Sequence, residues 1–367
     1  MNRENDSLLS QLAEVAADEI SGCARDPVVV SVAAEEDRDD WQRWLASRAD
    51  ATIFHDWAWR AVLAEAFGHS PHYLVAWRGN RVVGVLPLVE VKTLLFGHSL
   101  VSLPFCPYAG PLADDRAVHD ALDAHAEALG RERKVQFIEY RSLGPSHRDW
   151  PRQDLYVTFR KPIVADPESN LAAIPRKQRA MVRKGIRNGL TSDTGDLDAF
   201  FALFTDNVHR HGTPAHSRRF FERVLDAFGD RAEVLVVRDP NREPLSAVLS
   251  LYHRDEVLPM HAGDSPRARE LAANDFKYWE LMRRAAGRGC CVFDYGRSKR
   301  DTGPFHFKKN WGFEPTPLVY EYRLLTRDTV PQNNPLNPKY RLMIAAWRRL
   351  PRWLVNSVGP YLVRGLG

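Results

Sequence analysis

Apolar positions along the chain switch between a period of two and a period near 3.6, and each switch marks an element boundary. Val28 to Val32 reads as a strand, and spacings of three and four predict helices over Glu36–Arg48 and Trp57–Phe67. A period of two returns in Tyr73–Trp77 and Val82–Val91, separated by Arg78-Gly79-Asn80, which predicts a hairpin. A proline-rich loop from Pro104 to Pro111 precedes an expected helix at Asp115–Leu129 and a strand at Val135–Tyr140.

The same order then repeats. Helices are predicted at Leu197–His209 and Ser217–Phe228, a hairpin at Val234–Val237 and Leu245–Tyr252, a helix at Ala268–Gly287 and a strand at Cys291–Tyr295. The strand ends echo one another: Glu139-Tyr140-Arg141-Ser142 in the first half, Asp294-Tyr295-Gly296-Arg297-Ser298 in the second. The two Arg-Ser pairs lie 156 residues apart, about the offset of the hairpins. Two copies of one α/β unit are inferred. The expected division is an N-terminal helix or tail (1–27), a first lobe (28–165), a basic linker helix (166–192), a second lobe (193–327) and a basic amphipathic tail (328–367).

Composition narrows the class without naming a function. With 367 residues, 44% hydrophobic and 27% charged, the chain has the make-up of a globular protein, not of a disordered or disulfide-stapled one. A net charge of +4 does not announce a nucleic-acid binder, so any basic surface is local and no stable DNA binding is expected. No stretch approaches the ~20 apolar residues of a membrane span, and the acidic N-terminus lacks a signal-peptide core, so a cytoplasmic location is expected. Cys23, Cys106, Cys290 and Cys291 form no C-x-x-C pair and read as structural thiols. The 13 histidines show no H-E-x-x-H spacing, and no metal site is read. Trp57 and Trp59 read as core.

Two segments concentrate positive charge. Between Ser169 and Ser192 there are six basic residues and no acidic one, and Arg176, Arg179, Arg183 and Arg187 fall on one helical stripe beside Lys177. The stripe is either a solvated face or a binding surface for a polyanion. From Leu336 to Gly367 there are again six basic residues and no acid, with Met343, Trp347, Leu350 and Leu354 opposite Arg341, Arg348 and Arg352. This tail either lies on a membrane surface or docks on the protein, with Pro351 as a kink.

The run Phe293-Asp-Tyr-Gly-Arg-Ser298, then Thr302-Gly303, then Phe307-Lys308-Lys309-Asn310-Trp311-Gly312-Phe313 resembles the FemAB-like acyltransferases, which carry two GNAT folds. Gly84-Val-Leu-Pro-Leu88 and Leu103-Pro-Phe-Cys-Pro-Tyr-Ala-Gly-Pro111 add to the likeness, above all to FemAB proteins associated with the PEP-CTERM/exosortase system. The resemblance covers about residues 50–325. It implies two tandem GNAT-like lobes, each a mixed sheet flanked by helices. It also implies acyl or aminoacyl transfer to an amine on a cell-envelope or exopolysaccharide precursor, with no permanently bound cofactor. The donor stays open between aminoacyl-tRNA and an acyl thioester on coenzyme A or a carrier protein. A non-catalytic RNA-binding or scaffold protein is the remaining alternative. Where GNAT enzymes cradle the pyrophosphate of acetyl-CoA, this chain reads His261-Ala-Gly-Asp-Ser-Pro-Arg-Ala-Arg269 and Pro107-Tyr-Ala-Gly-Pro-Leu-Ala-Asp-Asp115, without the glycine-rich turn and with acid in its place.

The candidate site follows. The resemblance gives Lys308 the role of opposing an acceptor phosphate or the developing negative charge, with Lys309 in its place if the register differs. Asp294 closes an apolar strand at the open end of a sheet and acts as base or fixes Arg297; pairing with Lys308 is expected to keep that lysine charged. Arg297 and Ser298 suit a phosphate or carboxylate, with Arg141 as the first-half counterpart. Asn274 interrupts an apolar helical stripe, as a buried amide or a cap, and Tyr108 lines an acceptor groove or packs in its loop.

Overall fold

The computed structural model describes residues 26–93, 97–331 and 344–365, so the N-terminal helix expected before residue 26 and much of the basic tail lie outside the described residues. The chain opens with β1 (Val28–Val32), α1 (Arg38–Ala46), α2 (Ala58–Phe67), β2 (Ser70–Arg78), β3 (Arg81–Thr93), β4 (Gly97–Ser102) and β5 (Leu112–Ala113). It continues through α3 (Arg116–Glu132), β6 (Phe137–Ser142), β7 (Arg152–Gln153), β8 (Tyr156–Pro162), α4 (Pro167–Ala173) and α5 (Arg176–Arg187). The second half has β9 (Thr191–Thr194), α6 (Leu197–His211), α7 (Arg218–Phe228), β10 (Ala232–Arg238), β11 (Pro244–His253) and β12 (Glu256–Asp264). It ends with α8 (Ala268–Leu271), α9 (Ala273–Gly287), β13 (Val292–Asp294), β14 (Ser298–Lys299), α10 (Gly303–Asn310), β15 (Pro315–Pro317), β16 (Val319–Leu324) and α11 (Arg352–Val363).

Two mixed eight-stranded sheets result, in the orders β1-β2-β3-β4-β6-β16-β7 and β14-β8-β13-β12-β11-β10-β9, with β5 beside β3 and β15 beside β8. Each has one parallel pair among the described strands, β4–β6 and β12–β13. The matching order of elements and the matching parallel pair bear out the tandem arrangement. The boundaries of the lobes need correction. β8, placed in the first lobe by sequence, joins the second sheet beside β13, and β16, placed in the second, returns to the first sheet beside β6. The lobes thus exchange strands.

Both faces of each sheet are covered, and the strand pattern explains how. In β2, Tyr73 and Val75 face α1 and α2, whereas Leu74 and Ala76 face α3. On α3 the buried Val118, Leu122, Ala126 and Leu129 form one stripe, and Asp115 caps the helix by accepting from the Val118 amide at 3.0 Å. The second sheet repeats the scheme: Val234 and Val236 face α6 and α7, and Leu235 and Val237 face α9. The two lobes share a core because α2 packs on α7, with Trp59 5.1 Å from Phe228 and Phe67 5.2 Å from Phe220, ring centre to ring centre. Each such buried ring contributes about 1.5–3 kcal/mol, which makes this seam a strong one.

Trp57 and Trp59 are core as expected. Cys106 and Cys290 are buried and Cys291 is exposed, as the opposite faces of an extended segment require. The helix read over Ala268–Gly287 is two helices, broken at Ala272, whose φ of +61° is left-handed. The linker is likewise not one helix: α4, α5 and β9 share that segment. The tail follows the docking alternative. Val355, Gly359 and Val363 of α11 are buried, Trp353 and Tyr361 point outward, and Arg348 donates to the His211 carbonyl at 3.1 Å. Among the described residues, no helix is long and apolar enough to cross a membrane.

Candidate active site

The site is a consequence of the short parallel pair in the second sheet. β12 and β13 register only through Glu256↔Val292 and Val257↔Phe293. Beyond those pairs, Leu258–Ala262 on one side and Tyr295–Arg297 on the other line a cavity of about 480 Å³. Phe204 and Val208 of α6, His216 of the loop after it and Lys308 of α10 close the walls. Phe105 and Pro107 of the first lobe's proline-rich loop and Val363 of α11 complete it, so both lobes and the tail contribute. β12 sits tightly against α6 because Gly263 has no side chain: a Cβ there would lie 2.4 Å from the Phe204 amide nitrogen.

The Phe-Lys-x-x-Trp-Gly run is a device for seating α10. Trp311 is fully buried and donates through Nε1 to Asp275 of α9 at 3.0 Å. Burial pushes that carboxyl up to about 6, against the pull of the indole hydrogen bond. Gly312 then leaves the helix at φ +79°, the left-handed conformation that glycine adopts without strain. One turn back, Lys308 is buried and points inward, while Lys309 is exposed and outside the cavity.

Lys308 is not paired with Asp294 as expected. Its Nζ donates to three backbone carbonyls, those of Tyr295 at 2.7 Å, Gly296 at 2.9 Å and Arg297 at 3.2 Å. Burial pushes its pKa down to about 7, although the nearby Asp294 charge opposes the shift. Three carbonyl partners fit an ammonium, since a neutral amine would turn its lone pair on one of them. The lysine therefore clamps the turn that carries Arg297.

Asp294 is fully buried and already occupied. Its Oδ1 accepts from Thr158 Oγ1 at 2.9 Å and from the Gly296 amide at 2.8 Å, and its Oδ2 accepts from the Tyr108 hydroxyl. A carboxylate so engaged has little free acceptor capacity, and none of its three donors is Arg297, the residue it was expected to fix. Tyr108 thereby ties the first lobe's loop to the second lobe's site; burial, then the Asp294 charge, hold its phenol well above the ordinary value.

Arg297 lines the cavity, with one Nη donating to the Tyr320 hydroxyl at 3.0 Å and its guanidinium 4.7 Å from the Tyr156 ring centre. Tyr320 donates in turn to the Pro107 carbonyl at 2.8 Å. Arg141 sits against the other part of the same tyrosine, 5.2 Å from its ring centre, but it is neutralised by Glu139 at 2.7 Å. Among the described residues no carboxylate lies within ion-pairing distance of Arg297, and no Asp or Glu lines the cavity. The two arginines that look alike in sequence are electrically different.

Three polar groups of the cavity went unread in the sequence. His216 and His261 lie with ring centres 5.0 Å apart among Phe204, Phe220 and Phe221, and burial pushes His216 down to about 4 and His261 well below its usual value. Both are neutral imidazoles, and His216 Nδ1, His261 Nε2 and the Tyr295 hydroxyl are buried without a hydrogen-bond partner. The only signal for the two histidines was their position near strand and helix ends, and nothing there set them apart from the others in the chain.

Other expected residues stand apart. Asn274 is half-buried in the first turn of α9, is not the cap of that helix and does not line the cavity. Ser298 is buried in β14 with its hydroxyl unpartnered. On α5, Arg176, Lys177, Arg183 and Arg187 are exposed, and Arg179 donates to the Ala172 carbonyl at 2.9 Å. None of the five lines the cavity. In the loop after β12 the Ser265 amide donates to the Leu245 carbonyl and the Ala268 amide to the Ser265 carbonyl, and Asp264 accepts from Lys277 at 2.9 Å, while the Ser265 hydroxyl is buried without a partner. Those two amides are thus not free to cradle a pyrophosphate, and Asp264 adds a negative charge beside them.

The fold is that of two tandem GNAT-like lobes. Residues 173–309 match the acetyltransferase (GNAT) domain family, the segment that carries Asp294, Arg297 and Lys308, and the first lobe repeats its architecture. The chain is similar to the UDP-N-acetylmuramoylpentapeptide-lysine N(6)-alanyltransferase of Weissella viridescens, at 25% identity over 117 residues. That match spans 31% of this chain and 34% of the relative, about a third of its length. Among solved structures, FemX shares the fold at 16% identity with a TM-score of 0.62, covering 86% of this chain and all of FemX. A tandem GNAT protein from the clavulanic acid biosynthesis pathway does so at 14% identity and 0.53, over 83% of this chain and all of that one.

Proposed function

We propose that the chain is an N-acyltransferase of the FemX kind, moving an aminoacyl group from aminoacyl-tRNA to an amine of a cell-envelope or exopolysaccharide precursor in the cytoplasm. One observation carries the reading: a cavity walled by two cations, Arg297 and Lys308, and, among the described residues, by no carboxylate, which suits an anionic substrate group such as a diphosphate. The substrate for which the Weissella relative is named, a UDP-linked muramoyl peptide with a lysine amine, has that chemistry.

In this scheme the acceptor amine attacks the ester carbonyl of the donor. A C–N bond forms, the C–O ester bond breaks, and the tRNA hydroxyl leaves with a proton while the amine loses one. Arg297 holds the anionic group and Lys308 fixes the turn that presents it. The unpartnered, neutral nitrogens of His216 and His261 can accept a hydrogen bond from the acceptor amine and orient it, while burial keeps them weak bases, so the proton the amine sheds passes to solvent. The basic face of α5 suits the tRNA backbone, and the outward Trp353 and Tyr361 of α11, whose other face docks on the protein, suit a peripheral membrane contact.

The test is a mass-shift assay on UDP-N-acetylmuramoylpentapeptide and other amine-bearing precursors. A gain of one aminoacyl residue that requires charged tRNA is expected. Transfer from acetyl-CoA without tRNA would overturn the donor assignment, and no transfer to any amine would overturn the activity.

A further inference from the structure

Away from the cavity, His119 and Asp123 lie one turn apart on α3, and His147 approaches them from the β6–β7 loop. One ligand atom from each lies within 4.8 Å of the other two. The geometry points to a divalent transition-metal site of the Zn²⁺ class, with His119, Asp123 and His147 as its three protein ligands.

Four observations converge. Asp123 Oδ2 is 3.0 Å from His119 Nδ1 and 2.9 Å from His147 Nε2, so two imidazoles and a carboxylate face one point. The approach of His119 is not aligned as a hydrogen bond, and both its nitrogens, like Asp123 Oδ1, are buried without a partner. Groups aimed at a shared ion have that relation, whereas an ordinary ion pair satisfies them.

His147 is also held as a ligand is held. Its other nitrogen, Nδ1, is 3.2 Å from Glu321 Oε2, the outer carboxylate that fixes tautomer and basicity in metal-bound histidines. Glu321 is fully buried and accepts in turn from the amides of Ser146 at 2.9 Å and His147 at 3.0 Å and from Arg152 at 3.2 Å. Trp150 stacks on the His147 ring with centres 3.7 Å apart, which locks its plane. Finally, His147 borders an open groove with Arg116, Arg152 and Arg323, so an ion has a path from solvent.

Two nitrogens and one oxygen favour Zn²⁺, Co²⁺ or Ni²⁺ over Mg²⁺ or Ca²⁺, and three ligands leave a fourth position for water or an anion from the groove. The rival is a metal-free network in which a protonated His147 bridges Asp123 and Glu321. The site is independent of the acyltransferase reading.

The experiment strips full-length protein with chelator and titrates it with Zn²⁺ by calorimetry, and with Co²⁺ by visible absorption. One equivalent of Zn²⁺ is expected, with a four- or five-coordinate Co²⁺ spectrum. His119→Gln should abolish both, Glu321→Gln should weaken Zn²⁺ roughly 10–100-fold, and His125→Ala, elsewhere on α3, should change neither. No saturable uptake by the wild type, or uptake unaltered in His119→Gln, overturns the site.

Discussion

Replacing Lys308 by Met removes the ammonium that donates to three carbonyls, two of these contacts buried and the third part-buried. Each buried acceptor left without a partner costs about 1–3 kcal/mol. The sum is not the answer, because the native state also bears the cost of burying an ammonium, several kcal/mol before compensation. The two largely offset, and water reaching from the cavity can satisfy part of what is left. A net loss of about 2–4 kcal/mol is expected for Lys308→Met, set against about ±0.5 kcal/mol for the exposed Lys309→Met. The assay is urea unfolding of both variants and the wild type near pH 6.5, followed by intrinsic tryptophan fluorescence. A Lys308→Met protein as stable as the wild type would refute the clamp and return Lys308 to a purely electrostatic role at the substrate.

Arg297→Gln should fold normally, because its partners are a tyrosine hydroxyl and a ring face, yet lose about 10²–10³ in transfer rate. With the Lys308 pKa at about 7, the cavity is most cationic below that pH and loses charge as pH rises through it. Affinity for a UDP-sugar, whose diphosphate diester does not titrate there, should therefore fall between about pH 6 and pH 8 in the wild type and stay flat in Lys308→Met. Neutralising Arg176, Arg183 and Arg187 should lower the salt slope of tRNA binding by about 0.7 for each phosphate no longer neutralised, measured by filter binding. An unchanged slope would make α5 a solvated face. Tyr108→Phe should cost about 1 kcal/mol in urea unfolding by removing the hydroxyl from Asp294, and a neutral result would remove that link between the lobes.

The helices and hairpins were legible because both lobes bury strongly periodic stripes, as in α3 and in the alternation of β2. The strand exchange was not, since β8 and β16 look like any half-apolar strand and nothing local says which sheet they join. β12 hid because Pro259 and the bulge beside it break the alternation where the cavity opens. Ala272 gave no warning of a left-handed break, having none of the marks of glycine or asparagine. In the site, Arg297 and Lys308 were readable from their motif, but their roles were not. That Lys308 meets carbonyls and Asp294 meets Tyr108 depends on 11 to 186 residues of intervening chain. Arg141 and Arg297 share a local sequence, and only Glu139 separates a neutralised arginine from an available one.

The claim that the second-lobe cavity receives the anionic part of the substrate is tested most directly by a crystal structure with UDP-N-acetylmuramoylpentapeptide bound. The diphosphate is expected within hydrogen-bond distance of the Arg297 guanidinium, on the wall that Lys308 supports. Phosphates bound instead beside Arg141 in the first lobe, or nowhere near either arginine, would contradict it.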